Sequence, residues 1–407
     1  MDYSAAPTGP SAATAHDPAL DGVRGLAVLL VMLFHLTHYG LARTFAERAL
    51  VALPSVGWAG VDLFFVLSGY LITNILLESR RSSTYDRSFY ARRVLRIFPL
   101  YNAVLVFFLI VVPHIDAFAA ANDFWYPNAP HEGVWYWLFL SNFHAAWMGA
   151  WDHQFLSIAW SLAIEEHFYL VWPSVVRRFG DRRLLWICAA TIAGSLALRV
   201  ALTVSGFSER AVYTLTPCRL DPLATGAAIA ILARNGGLER FARAANVALL
   251  VGLALFAALC FAVHPATTAP TGVTDPSGYE AAVVAALAFT GDPWMQTIGF
   301  SLLCVIFGAL LVSVATAPPA ALRRRAFELG WLRALGKHSY SLYLLHVFVG
   351  TLVLSLFAPV SYPGRFLLAV PFYWVLAIGA SYAVARLTWL AIEAPMLALK
   401  RYFPYRA

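Results

Sequence analysis

Long apolar runs separated by short basic loops form the main hydropathy pattern of this chain. Ten runs reach the ~17 to 25 residues that a helix needs to cross a bilayer. They lie at 22–40, 58–78, 97–113, 155–176, 184–204, 217–234, 245–263, 297–316, 338–357 and 366–396. Two shorter stretches, 133–143 and 279–290, are predicted as outer-interface helices, with a re-entrant segment as the alternative for the second. The pattern predicts an all-α polytopic membrane protein, a bundle of about ten transmembrane helices.

The basic residues predict how these spans are oriented. The loops 79–96, 177–183, 234–243, 323–337 and 400–406 hold six, four, three, five and three of the 29 Lys and Arg, whereas 114–154 and 264–296 hold none. Because cytoplasmic loops are enriched in Lys and Arg, both termini are predicted to be cytoplasmic. The domain boundaries follow: 1–18 is a disordered cytoplasmic tail without the basic start of a signal peptide, 19–398 is one transmembrane domain, and 399–407 is a short cytoplasmic tail.

Composition excludes several classes of protein. Of the 407 residues, 60% are hydrophobic and 13% are charged, against about 25% charged in a soluble domain. The net charge of +7 comes from loops between apolar spans, so no nucleic acid is expected as a partner. The expected partner is the lipid bilayer. The four cysteines are widely spaced and form no C-x-x-C pair, so no metal site is predicted.

An arginine and a histidine share one face of the first predicted span. Arg24 and His35 are eleven residues apart, which in a helix is ~16.5 Å of rise and about 20° of rotation beyond three turns. One end of this face can hold an anion, and the other can supply a base. Because an ionisable residue inside a membrane helix is costly, His35 is predicted to be functional. A histidine that only hydrogen bonds to a neighbouring helix is the alternative.

Three arginines in the first basic loop form a candidate phosphate site. Arg92 and Arg93 lie four and three residues before Arg96, so a helix places them close together. Clustered guanidinium groups bind phosphate oxygens, and contact with anionic lipid is the alternative. Arg24 is predicted at the same depth, which favours a ligand with several phosphates and an arm that reaches His35. Coenzyme A has both.

Two adjacent glutamates lie near the middle of another predicted span. Glu165 and Glu166 point about 100° apart in a helix, so only one of them can face a given neighbour. Glu165 follows Ser161 by four residues and shares its face. We therefore predict Glu165 as the functional carboxylate, with Glu166 as the alternative. Its candidate roles are to orient His35, as the aspartate does in a Ser-His-Asp arrangement, or to brace the bundle.

Further polar residues are predicted near the outer ends or in the middle of spans. An unpaired carboxylate at Asp62 is expensive, and Ser68 lies beside Gly69, which favours close helix packing. Arg219 and Asp221 are predicted to pair with each other or with Asp62, and contact with the acceptor substrate is the second interpretation. The candidate substrate-binding residues are Asp62, Ser68, Arg219 and Asp221.

A polar stripe follows one face of the span at 338–357. Ser339, Tyr343 and His346 recur at i, i+4 and i+7, and a polar stripe on a membrane helix turns inward. We predict that Tyr343 and His346 line the channel of the coenzyme A donor. Hydrogen-bonded helix packing is the alternative.

Together these stretches resemble the acyltransferase-3 family, bacterial multi-pass O-acyltransferases that modify cell-surface glycans, peptidoglycan, lipochitooligosaccharides and macrolides. The resemblance is carried by L-D-G-V-R-G-L-A at 20–27 with an R-x10-H spacing, G-V-D-L-F-F-V-L-S-G-Y-L at 60–71, R-R-V-L-R at 92–96, W-S-L-A-I-E-E-H-F-Y at 160–169, R-L-D-P-L-A-T-G at 219–226 and S-Y-S-L-Y-L-L-H at 339–346. Each motif is short, but in this order they cover nearly the whole chain.

The resemblance implies a ten-helix bundle in the bacterial cytoplasmic (inner) membrane that uses cytoplasmic acyl-CoA, most often acetyl-CoA. It implies His35 as the base and Arg24, Arg93 and Arg96 as donor-binding residues. Some relatives append an extracytoplasmic esterase-like domain, which is not found before Ala407. We therefore expect the membrane domain or a separate partner to complete the transfer.

The expected function is acyl transfer, acetyl by the resemblance, to a hydroxyl of a carbohydrate acceptor such as a cell-surface glycan or a lipid-linked sugar. Acylation of a macrolide or another small glycoside by the same mechanism is the first alternative. A proton-coupled exporter or flippase, with Asp62, Glu165 and His35 as a relay, is the second.

Overall fold

The regular structure is helical throughout the described part of the chain. The computed structural model describes residues 17–37, 42, 44–115, 133–151, 153, 155–263, 290–356 and 365–406. The helices are α1 Pro18–His35, α2 Phe45–Ser55, α3 Gly60–Ser79, α4 Tyr85–Val106, α5 Gly133–Trp137, α6 Ser141–Met148, α7 Ala159–Arg178, α8 Asp181–Val204, α9 Glu209–Thr214, α10 Asp221–Arg234, α11 Ala242–Val263, α12 Phe300–Ala315, α13 Leu322–Phe327, α14 Gly330–Lys337, α15 Ser339–Leu356, α16 Phe366–Thr388 and α17 Ala394–Ala398. Tighter or wider turns such as Gly57–Ala59, Phe107–Val111, Met295–Gly299, Trp389–Glu393 and Leu399–Tyr402 extend or join some of them. The all-α prediction is confirmed for these residues.

Several helical stretches in this part are long and apolar enough to cross a bilayer. There are eight: Pro18–His35, Phe45–Ser79, Tyr85–His114, Asp181–Val204, Glu239–Val263, Met295–Ala315, Ser339–Leu356 and Phe366–Tyr402. The protein is therefore a multi-pass membrane protein. The two other predicted spans are helical over Ala159–Arg178 and Asp221–Arg234, but the first carries two glutamates and a histidine in its middle and the second has only 14 residues. The count of ten stays a prediction.

Helix α1 is a single unbroken helix that holds both ends of the predicted functional face. Pro18 occupies its first turn, and the Asp17 side chain accepts a hydrogen bond from the Ala19 amide at 3.0 Å, which caps the helix. His35 is its last residue. Arg24 and His35 therefore have the helical spacing that the sequence predicted.

Glycines let helix α14 lie directly against α1. A Cβ atom on Gly25 would lie 2.0 Å from the Leu332 carbonyl oxygen, and one on Gly336 would lie 1.8 Å from the Asp21 carbonyl oxygen. No larger residue fits at either position without moving backbone. This contact explains Gly25 of the D-G-V-R-G stretch, and it brings the start of α1 beside the basic end of α14. Gly22 of the same stretch lies against the end of α13, where its Cβ would be 1.7 Å from the Phe327 carbonyl oxygen.

Helices α3 and α10 form a second close contact through glycines. A Cβ on Gly69 would lie 2.0 Å from the Leu223 carbonyl oxygen, and one on Gly226 would lie 1.9 Å from the Val66 carbonyl oxygen. The close approach predicted at Gly69 is confirmed. Because adjacent helical residues point about 100° apart, Ser68 faces away from this contact, toward the interior cavities described below.

The structure describes the predicted tails and interface segments only in part. The stretch at 133–143 belongs to two short helices, Gly133–Trp137 and Ser141–Met148. The second such stretch, 279–290, lies outside the described residues except for Thr290, as does the predicted N-terminal tail except for its last two residues. The C-terminal segment is docked on the start of α4, where the Thr84 and Ser88 hydroxyls each donate to the Pro404 carbonyl oxygen at 2.8 Å.

Candidate functional site

A cavity of about 590 Å³ at the basic-loop end of the bundle is lined largely by cations. Its six cationic residues are Arg24, Arg93, Arg96, Arg333, Lys337 and Lys400, and Asp21 is the carboxylate beside them. We call it the cation cavity. Six cations against one carboxylate give a site that attracts an anion with several charges. Guanidinium groups in particular hold phosphate oxygens with paired hydrogen bonds.

Helix geometry brings these cations together in pairs. Arg93 and Arg96 are one turn apart on α4, and Arg333 and Lys337 are one turn apart on α14, so each helix presents its pair on one face. The glycine contact between α1 and α14 sets the second pair beside Arg24. The sequence predicted Arg24, Arg93 and Arg96 as a group. The α14 pair and Lys400 were missed, because the pattern of basic loops gives their side of the membrane but not their neighbours.

Arg92 does not line the cation cavity, although the sequence predicted it as part of the same group. Its Nε donates to the Phe403 carbonyl oxygen at 2.7 Å, and its guanidinium lies 5.3 Å from the centroid of the Tyr405 ring. It lines a neighbouring cavity of about 390 Å³ instead. The docked C-terminal segment is the physical reason, since it supplies the acceptor and the ring that hold this side chain.

A buried glutamate that the sequence analysis missed holds Arg96 in place. Glu393 lies in the turn after α16, 3.5 Å from the Arg96 guanidinium, and accepts a hydrogen bond from Ser341. The Glu393 side chain is only 2% exposed. A lone carboxylate inside the apolar run W-L-A-I-E-A-P was the available signal, because such a group needs a cationic partner.

A second, smaller cavity of about 120 Å³ adjoins the cation cavity. Both are lined by Arg24, Ser68, Arg93, Arg96 and Tyr169. The second cavity is lined further on by Ser161, Glu165 and Tyr343, and we call it the inner slot. At that end the Tyr343 and Ser161 hydroxyls are 2.6 Å apart, and Tyr343 also donates to the Ile158 carbonyl oxygen at 3.1 Å.

Glu165 lines the inner slot, and Glu166 is not among the lining residues. The face of α7 that carries Ser161 and Glu165, which their spacing predicted to be functional, is therefore the face toward the slot. Its partner is different from the predicted one: the Ser68 hydroxyl donates to Glu165 Oε1 at 2.5 Å. Ser68 thus holds the carboxylate that was expected to orient His35.

The side chain that meets His35 is another histidine. His346 Nε2 lies 3.2 Å from His35 Nδ1, and the two ring centroids are 5.0 Å apart. Tyr343 lines the inner slot. His346, three residues further along α15, is fully buried, contacts His35 and is not among the residues that line the cation cavity or the inner slot. The Tyr343 and His346 ring centroids are 6.2 Å apart. His35 itself is partly exposed.

The remaining candidate substrate-binding residues form buried ion pairs. Arg219 lies 2.7 Å from Asp62, and Asp221 lies 2.9 Å from Arg199, with every one of these side chains at most 2% exposed. The pairing of Arg219 with Asp62 was one of the two predicted pairings. None of these four side chains lines the cation cavity or the inner slot, and contact with the acceptor stays a prediction. Arg199 was missed, although a lone arginine in L-A-L-R-V-A-L needs a buried carboxylate.

Comparison with known proteins gives matches along most of the chain. A family model described as an acyltransferase domain matches residues 17–389. The chain is 28% identical over 396 residues to the peptidoglycan O-acetyltransferase OatA of Listeria monocytogenes, which covers 93% of this chain and 55% of that protein. Identity to the O-acetyltransferase OatA of Staphylococcus aureus is 29% over 348 residues, 81% of this chain and 50% of that protein.

A third relative is the putative peptidoglycan O-acetyltransferase YrhL of Bacillus subtilis, with 29% identity over 404 residues, 93% of this chain and 54% of that protein. The chain spans about half the length of these curated relatives. No solved structure matches.

Proposed function

The chain belongs to the acyltransferase-3 family, and from this premise we propose that it transfers an acyl group from cytoplasmic acyl-CoA to a hydroxyl of a carbohydrate. The observation that carries the proposal is the cation cavity with the inner slot leading from it. A ligand with a polyanionic head and a thin arm fits this pair of spaces, and acyl-CoA has that shape.

The donor head is proposed to bind in the cation cavity. The phosphates of coenzyme A would be held by Arg24, Arg93 and Arg96, with Arg333, Lys337 and Lys400 adding charge around them. Glu393 supports this role, because its contact with Arg96 fixes the direction of that guanidinium.

The pantetheine arm is proposed to enter the inner slot. The slot is lined by apolar side chains such as Val61 and Phe65 together with a few hydroxyls, which suits a chain of amides and methylenes. The thioester would then lie at the Tyr343 end, where the Tyr343 ring centroid is 6.2 Å from that of His346, the residue that contacts His35. The ~16.5 Å of helix rise between Arg24 and His35 gives the reach that the arm must cover.

The chemistry is proposed to be direct transfer with His35 as general base. His35 takes the proton of the acceptor hydroxyl while that oxygen attacks the thioester carbonyl carbon. The new C–O bond forms, the C–S bond breaks, and the coenzyme A thiolate leaves and is protonated by the imidazolium. Both reactants are held by one protein, so most of the entropic cost of bringing them together is met by binding.

Acetyl is the proposed acyl group, and a glycan is the proposed acceptor. The relatives named above are O-acetyltransferases, two of them designated for peptidoglycan. We therefore propose acetylation of a cell-wall or other surface glycan, in a bacterial inner membrane, by a bundle of about ten spans with cytoplasmic termini. The position of the cation cavity among the basic loops supports donor entry from the cytoplasm.

Consumption of the donor by the purified chain tests this function. The full chain in lipid nanodiscs, given radiolabelled acetyl-CoA and peptidoglycan fragments, is expected to release free coenzyme A and to yield fragments that are heavier by one acetyl group. Absence of any acyl-CoA consumption with peptidoglycan, other glycans or small glycosides would contradict the proposal and leave membrane transport as the remaining function.

The donor site is tested by a matched pair of charge deletions on α4. Arg93→Ala removes a cation that lines both cavities, and Arg87→Ala removes the same charge from an exposed position of the same helix. We expect the first to raise KM for acetyl-CoA about tenfold, which corresponds to ~1.4 kcal/mol, and the second to leave it unchanged. Equal effects of the two variants would reduce Arg93 to a general charge of the membrane surface.

A further inference from the structure

The hydrogen bonds of His35 and His346 to backbone carbonyl oxygens determine which nitrogen of each ring carries the hydrogen. We propose that His346 is a positioning residue that holds His35 in the Nδ1–H tautomer and so leaves His35 Nε2 as the atom that accepts a proton. This inference rests on the proposed function for its catalytic meaning, but the tautomers themselves follow from the hydrogen bonds alone.

His346 is anchored to its own helix. Its Nδ1 lies 3.0 Å from the Leu342 carbonyl oxygen and 2.8 Å from the Tyr343 carbonyl oxygen. A carbonyl oxygen only accepts, so Nδ1 must carry the hydrogen. In the neutral ring Nε2 is then the unprotonated nitrogen, and its lone pair points at His35.

A separate contact places His35 in the same Nδ1–H tautomer. Its Nδ1 lies 2.9 Å from the Val31 carbonyl oxygen, so this nitrogen also carries its hydrogen. The same N–H lies 3.2 Å from the lone pair of His346 Nε2 and is shared between the two acceptors. Two independent backbone anchors thus give rings that meet donor to acceptor.

Among the described residues, one nitrogen of the two rings, His35 Nε2, has no hydrogen-bond partner. His346 uses both of its nitrogens and is fully buried, so it has no atom left for a substrate. His35 is partly exposed and its Nε2 has no hydrogen bond to a described residue. When Nε2 takes a proton, the Nδ1–H bonds to Val31 and His346 become charge-assisted and therefore stronger. His346 stabilises the protonated state that the reaction passes through.

Two substitutions of similar polarity at His346 distinguish a role in positioning His35 from a role in packing. In His346→Gln the side-chain amide oxygen can take the place of Nε2 and still accept from His35, whereas in His346→Asn the amide reaches only as far as Nδ1. We expect His346→Asn to lower kcat by ~10² or more and His346→Gln to recover at least tenfold of that loss. KM for acetyl-CoA and the unfolding temperature are expected to match in the two variants.

The outcomes are distinct. Equal kcat values for the Gln and Asn variants, or a loss confined to the donor KM, would overturn the positioning role and return His346 to packing or donor binding. Nitrogen-15 spectra of histidine-labelled wild-type protein in nanodiscs, assigned by difference with the His35→Gln and His346→Gln variants, test the tautomers without turnover. We expect both rings as Nδ1–H, and an Nε2–H form of His35 would overturn the inference. If the wild-type protein consumes no acyl-CoA, the proposed function fails while these spectra still decide the tautomers.

Discussion

At the scale of single residues, the chain separates two kinds of buried polar group. Arg24 and Glu165 line cavities, and His35 is partly exposed. Asp62 and Arg219 are closed off, paired with each other and nearly free of exposure. Burial of a charge is tolerated only with a partner, so Asp62 and Arg219 each need the other, whereas Arg24 and Glu165 face spaces that a ligand can enter.

Removal of the imidazole at position 35 tests the proposed base. Because donor binding is proposed to depend on the cation cavity, which is distant along α1, we expect His35→Ala to bind acetyl-CoA with unchanged affinity and to lose acyl transfer by ~10² to 10⁴. Calorimetric titration with coenzyme A and a turnover assay on the same preparation measure both. Turnover within a few-fold of wild type would remove His35 from the mechanism.

Substitutions in the Asp62–Arg219 pair test whether these residues stabilise the fold or contact the substrate. Asp62→Ala leaves a buried arginine without its carboxylate, and breaking a buried pair in this way costs about 3–5 kcal/mol. We expect a lower unfolding temperature in detergent, partly restored in a double variant Asp62→Leu, Arg219→Met in which both charges are replaced. A stable Asp62→Ala protein with a raised KM for the acceptor would show that Asp62 touches substrate after all.

At the scale of helices, close contacts through glycine decide which basic residues become neighbours. Helix α14 lies against α1 because Gly25 and Gly336 have no side chains, and this contact places the Arg333 and Lys337 pair at the cation cavity. The C-terminal segment similarly determines the position of Arg92, since its carbonyl groups and aromatic rings hold that guanidinium.

A methyl group at the α1–α14 contact should therefore weaken donor binding. Gly25→Ala would place Cβ 2.0 Å from the Leu332 carbonyl oxygen, so we expect the helices to separate, a stability loss of about 1–3 kcal/mol and a raised KM for acetyl-CoA. Gly194→Ala on α8 is the control, because nothing lies within 4 Å of its Cβ position and the change should be neutral or slightly stabilising. Equal KM values for both variants would contradict a role for this contact in the donor site.

The sequence predicted features that depend on one helix and not those that depend on two. Three features follow from the periodicity of a single helix. They are the spacing of Arg24 and His35, the position of Glu165 on the interior face of α7, and the close contact at Gly69. His346 as the partner of His35 joins residues 311 apart in the chain. No local pattern gives that pairing, because it is set by how α15 packs on α1.

At the scale of the whole molecule, the basic loops converge on one cavity. Its cations come from near the start, the first third and the last quarter of the chain, so the site exists only when the whole bundle is assembled. This explains why the motifs of the acyltransferase-3 family are spread along nearly the entire chain, with the match covering 17–389. The inner slot continues from this cavity to Tyr343, whose ring centroid lies 6.2 Å from that of His346.

A structure that shows where the donor binds is the most direct test of the proposed transfer. A structure of the wild-type chain in nanodiscs with a thioether analogue of acetyl-CoA, which cannot give up its acyl group, shows the complex before turnover. We expect the phosphates among Arg24, Arg93 and Arg96, the arm in the inner slot, and the acyl carbon beside His35 Nε2. Phosphates bound elsewhere, or an acyl group out of reach of His35, would contradict the proposed transfer.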